Sequence, residues 1–84
     1  MATINDLYEF QEILAEVRET PSKCTWFGDI KITYVPDMDY WIATIGCDFE
    51  VMFDYVDYSS NSIILMRRGI LVGRFTHMHQ RVRV

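Results

Sequence analysis

The chain has 84 residues, 50% of them hydrophobic and 14% aromatic, with twelve acids against eight Lys and Arg and a net charge of −4. That length allows one small domain, and the aromatic content excludes a disordered chain. The acidic balance argues against a nucleic-acid binder, which is ordinarily basic overall.

Residues 3–19 have the periodicity of one amphipathic helix. Leu7, Phe10, Leu14 and Val17 recur at spacings of three and four, with Ile13 widening the stripe. Thr3 stands where an N-cap belongs, and Asp6 three positions on makes an acidic version of the capping box. Pro21 stops the helix, because its ring breaks the hydrogen-bond ladder and disfavours helical geometry in the preceding residue.

From Trp26 the period becomes two, and a strand region runs from about 26 to 80. Ile30, Ile32 and Tyr34 alternate with Lys31, Thr33 and Val35. Pro36-Asp37-Met38-Asp39 is a turn, and Tyr40 to Ile45 a second strand. Gly46 and Cys47 mark either a tight turn or a bulge. Phe49, Val51, Phe53 and Tyr55 then alternate with Asp48, Glu50, Met52 and Asp54, which predicts one half-buried strand. Asp57 has the opposite parity and is assigned to the following turn. Ser59 to Ser62 is a polar loop, and Ile63–Met66 and Ile70–Phe75 are strands joined by a turn at Arg67-Arg68-Gly69. The residues through Val84 either extend the last strand or fray. The pattern predicts a single domain over residues 1–84, of the α+β class: one N-terminal helix packed on a four- or five-stranded antiparallel sheet.

Charge is sharply segregated. From Ile32 to Met66, 35 residues contain no Lys or Arg but six acids, whereas the last 18 contain five arginines, two histidines and no acid. Within the helix, Glu9, Glu12, Glu16 and Glu19 project onto one narrow exposed ridge at about 100° per residue. Like charges at these spacings destabilise a helix slightly, and only Arg18 offsets them within it. Asp48, Glu50 and Asp54 form a second row on the strand, and Asp37 and Asp39 lie in the turn. Such carboxylate rows imitate the phosphate spacing of a nucleic acid; the bland alternative is a solvated surface.

Catalytic and metal constellations fare poorly. Pro36-Asp37 followed by Asp48-Phe49-Glu50 has the order of a PD-(D/E)xK nuclease, but Met52 stands where that motif needs lysine. His77 and His79 with Cys24 and Cys47 supply zinc-ligand types, yet the cysteines are scattered rather than closely paired. Single glycines at 28, 46, 69 and 73 make no phosphate-cradling loop. No catalytic residue, metal or cofactor is therefore expected. With no leader pattern and no apolar run long enough to span a bilayer, the expected location is the cytoplasm, with both thiols reduced.

In size, acidity and want of catalytic apparatus the chain resembles the small inhibitors that phages encode against bacterial defences, such as anti-CRISPR and anti-restriction proteins. That resemblance implies a non-enzymatic protein that blocks a basic, nucleic-acid-handling surface of a host protein. The residues expected to carry it are Glu9, Glu12, Glu16 and Glu19, then Asp48, Glu50 and Asp54, then Asp37 and Asp39. The alternatives are a small homo-oligomeric adaptor or structural subunit, with the sheet edge and the arginine-rich end as its interface, and a nucleic-acid module using the C-terminal arginines. Separately, Tyr40, Trp41 and Tyr58 exceed what one helix can bury, which predicts an apolar patch that drives dimerisation.

Overall fold

The computed structural model describes residues 1–47 and 49–76. Helix α1 (Ile4–Glu19) starts at the expected cap. Thr3 Oγ1 accepts the Asp6 N–H at 3.1 Å, and Asp6 Oδ2 accepts the Thr3 N–H at 2.8 Å. This satisfies two otherwise orphaned donors, and such a cap stabilises a helix by about 1 kcal/mol. At the other end Thr20 leaves helical geometry just before Pro21, its N–H still bonded to the Glu16 carbonyl at 3.1 Å. The buried residues of α1 are the five of the apolar stripe: Leu7, Phe10, Ile13, Leu14 and Val17.

Seven strands follow among the described residues. β1 (Thr25–Phe27), β2 (Ile30–Val35), β3 (Tyr40–Ile45) and β4 (Phe49–Phe53) form a four-stranded antiparallel sheet in chain order. β5 (Tyr55–Ser59), β6 (Ser62–Arg67) and β7 (Ile70–Phe75) form a three-stranded antiparallel sheet, also in chain order. The fold is α+β, with the helix packed against antiparallel sheet as the alternation implied.

The two sheets are separated by a single residue, Asp54. Its N–H donates to the Met66 carbonyl at 2.9 Å, and its carboxylate accepts the Arg68 N–H at 3.2 and 3.4 Å. The continuous strand expected through Tyr55 is therefore broken, and the break resets the alternation. Val56 and Tyr58 pack against the core, while Tyr55 is 62% exposed. Asp57 lies in β5 rather than in a turn.

The connections are tighter than the polar stretches suggested. Strands run up to Ser59 and restart at Ser62, so the expected polar loop is a two-residue hairpin turn. Its central residues Ser60 and Asn61 have φ of 53° and 60°, the left-handed pair that matches the twist of adjoining strands. Arg68 and Gly69, with φ of 51° and 81°, repeat that geometry between β6 and β7. Gly46-Cys47 is a turn, closed by the pairing of Ile45 with Phe49. The irregularity lies instead in β7: Leu65 pairs with Gly73 but Met66 with Leu71, which makes Val72 an extra residue.

Phe10 sits where helix and sheets meet. Its ring centroid is 4.9 Å from Phe27, 6.0 Å from Phe53 and 5.8 Å from Phe75, which belong to β1, β4 and β7. The fully buried Ile32, Ile63 and Leu65 join the same core. No helix among the described residues is long and apolar enough to cross a membrane.

Candidate functional site

The carboxylates divide into those consumed by the fold and those left to solvent. Glu9, Glu12, Glu16 and Glu19 are all exposed, as their spacing on α1 requires. Glu16 is paired with Lys23, just beyond the helix end. Glu9, Glu12 and Glu19 have no ion pair or hydrogen-bond partner among the described residues. The ridge thus retains three unspent charges on one exposed strip of helix.

That helix is held firmly at its C-terminal half. Trp41 of β3 donates its indole N–H to the Leu14 carbonyl at 3.0 Å. The Arg18 guanidinium lies over the rings of Trp41 and Tyr34, at 5.9 and 6.0 Å from their centroids, and 3.6 Å from Asp39. Tyr34 donates its hydroxyl to the same Asp39 carboxylate. Asp39 is held at φ 58° where the β2–β3 turn closes, its N–H bonded to the Val35 carbonyl at 2.9 Å. The Asp39 hydrogen bond, then burial, push the Tyr34 phenol above its ordinary value; the Arg18 charge works against them. Asp39 is therefore a structural tie between turn and helix and not a free docking charge. Its neighbour Asp37 is exposed and has no partner among the described residues.

The strand acids are not one row. Glu50 alternates with buried Val51, so it faces away from the core on which the helix packs. Its cross-strand neighbours there are Thr44 and then Lys31. The expected union of helix ridge and strand row is thus divided by the sheet itself. Asp54 is occupied with the Arg68 N–H, and Asp57 accepts the Tyr58 N–H at 2.8 Å. Asp48 lies outside the described residues, as do His77, His79, Arg81 and Arg83.

Beside the ridge runs an open groove of about 390 Å³ between α1 and the start of β5. Gln11, Leu14, Ala15, Arg18 and Glu19 line one side; Trp41, Asp54, Tyr55 and Val56 line the other. It brings Glu19 and Asp54 to one depression, a pairing invisible at a sequence separation of 35 residues. Its apolar residues are the ones sequence reasoning missed. Leu14 reads as ordinary core, Trp41 as part of a surplus apolar patch, and Tyr55 as the continuation of the buried face of β4, because the break at Asp54 leaves no composition signal.

Trp41 and Tyr58, expected in a surplus apolar patch, are half-buried and hydrogen-bonded; Tyr58 donates its hydroxyl to the Ala2 carbonyl at 2.9 Å. Tyr40 is half-buried too, with the Arg67 guanidinium 5.4 Å from its ring centroid. Cys24 and Cys47 are exposed free thiols, and no group of three or more His, Cys, Asp or Glu among the described residues could hold a metal ion. No protein-family model, curated protein or solved structure matches the chain.

Proposed function

We propose that the chain is a non-enzymatic binding protein whose acidic helix docks on a basic, nucleic-acid-handling surface of a host protein and blocks it, as small phage-encoded inhibitors do. The observation that supports this reading is the ridge on α1: Glu9, Glu12 and Glu19 exposed and without partners among the described residues, on a helix anchored through Leu14 and Arg18. Unpaired like charges on a helix cost stability, and a rigid backbone presents them at fixed spacing. Opposite charge on the partner would speed association and make it sensitive to salt. Glu19 carries the ridge to the rim of the groove at the C-terminal end of α1, and Asp37 adds an exposed acid in the β2–β3 turn. Glu50 stands apart on the far face.

The test reverses Glu12 and Glu19 to Lys together. Neither has a partner among the described residues, and lysine in the last turn suits the helix dipole, so the fold should be kept or slightly stabilised. The wild-type chain, used to capture partners from a bacterial host lysate, should retain a protein whose binding to duplex DNA it abolishes. The double variant should lose that capture, and salt should weaken the wild-type complex. Undiminished capture by the double variant, or a captured protein that binds DNA equally well with the chain attached, would sink the proposal.

A further inference from the structure

The second sheet has an outer face that no other element covers among the described residues. Register places two cross-strand rows on it. One is Tyr55 on β5, Met66 on β6 and Leu71 on β7; the other is Asp57, Ile64 and Arg74 on the same three strands. Tyr55 is 62% and Leu71 49% exposed, Met66 and Ile64 are half-buried, and both charged residues are exposed. An apolar centre thus carries an acid on one side and a base on the other, in a single row.

We propose that this face is a two-fold interface between two copies of the chain. An isologous contact needs a surface complementary to itself, and the second row meets that condition. A two-fold axis lying between two stacked faces, parallel to β6, exchanges β5 with β7. Asp57 of each copy then faces Arg74 of the other, so two ion pairs form, with Ile64 on Ile64 between them. In the first row the same axis lays Met66 on Met66 and Tyr55 on Leu71.

The dimensions agree. Stacked sheets sit about 10 Å apart, roughly what an aspartate and an arginine side chain span together. Aligned sheets are rotated by about 30°. At one strand spacing from the axis, that rotation shifts the charges by roughly 2–3 Å, which the arginine stem can take up. Within one chain Asp57 and Arg74 stand side by side on strands separated by β6, with Ile64 between them, and they form no ion pair with each other. Neither side chain has an ion-pair partner among the described residues. Asp57 Oδ1 accepts the Tyr58 N–H, which leaves Oδ2 available. A uniformly acidic or basic partner would be repelled by one side of this row, whereas a second copy is attracted by both. The face is small against the roughly 1,000 Å² of total area at which specific interfaces begin, so the pair forms at micromolar or higher concentration.

This interface stands independently of the acidic ridge, and it is tested by sedimentation equilibrium. The wild-type chain should pass from monomer to dimer as concentration rises. Asp57→Arg and Arg74→Asp should each weaken self-association about tenfold or more, since each replaces two attractions with two repulsions. Mixed in equal amounts, the two variants should pair with one another, because the heterodimer has an acid opposite a base at both sites. The variant carrying both changes in one chain should likewise recover the wild-type dimer. A wild-type chain that stays monomeric to millimolar concentration, or assembles beyond a dimer, overturns the proposal. So does a single variant that dimerises like wild type, or two folded variants that fail to pair.

Discussion

Phe10 offers the most direct test of how the fold holds together. Its side chain has no exposed surface, and its ring meets Phe27, Phe53 and Phe75 at centroid distances of 4.9, 6.0 and 5.8 Å. One helical residue therefore touches both sheets. Truncation to alanine removes the ring from water-free surroundings and leaves a cavity between three aromatic neighbours, at a cost of about 3–5 kcal/mol. A domain of 84 residues has roughly 4–13 kcal/mol of stability in total, so Phe10→Ala should lose about a quarter of it or more. Phe10→Leu keeps most of the volume and should cost about 1.5 kcal/mol or less. Phe49 is the control: it is 59% exposed on β4, and Phe49→Ala should stay within about 0.5 kcal/mol. Urea unfolding followed by tryptophan fluorescence measures all three, as shifts of the midpoint at constant slope. If Phe10→Ala cost no more than Phe49→Ala, the placement of Phe10 between helix and sheets would be wrong.

Two further outcomes follow from the polar ties. Asp54→Ala removes the acceptor of the Arg68 N–H; because the bond is exposed and long, the loss should be about 1 kcal/mol. Asp54→Asn should recover part of it, and amide exchange at Arg68 should quicken in the alanine variant; unchanged exchange would refute the tie. Tyr34 has a raised phenol, chiefly through its hydrogen bond to Asp39. The folded protein holds that proton more tightly than the unfolded chain. The resulting stabilisation is therefore present at neutral pH and lost as pH climbs past the unfolded value near 10 through the raised folded one. Tyr34→Phe should cost stability at pH 7, and its urea midpoint should converge on that of wild type in strong alkali. A pH-independent gap between the two would refute the linkage.

What was legible in the sequence was whatever depends on local period and local chemistry. The stripe from Leu7 to Val17, the Thr3 cap and the stop at Pro21 each rest on interactions spanning at most one helical turn, and all three are observed. The alternation of Ile30, Ile32 and Tyr34 likewise marks the buried face of β2. Failure came where one long-range bond overrides local pattern. Nothing near Asp54 in the chain signals that its N–H will meet the carbonyl of Met66 and its carboxylate the N–H of Arg68. Yet those bonds end β4, start β5 and turn Tyr55 outward. The Ser59–Ser62 stretch misleads for the opposite reason. Four polar residues look like a loop, but Ser60 and Asn61 both adopt positive φ, and two residues suffice to reverse the chain.

The charges teach the same lesson about function. Counting acids along the chain suggests a broad acidic surface, but a carboxylate already holding a donor is less available to a partner than its charge implies. Asp6 caps α1, Glu16 holds Lys23, Asp39 joins Tyr34 and Arg18, and Asp54 fixes the sheet break. Three of the expected site residues, Glu16, Asp39 and Asp54, are in that group. Of the acids left without a partner among the described residues, Glu9, Glu12 and Glu19 share one side of one helix, whereas Glu50 faces away across the sheet. Only tertiary geometry separates these classes, because the partners of Asp39 and Asp54 lie 5 to 21 positions away. A docking surface argued from such a chain must therefore be built from the unspent charges. Here the candidate acids narrow to one ridge on α1 and the groove beside it.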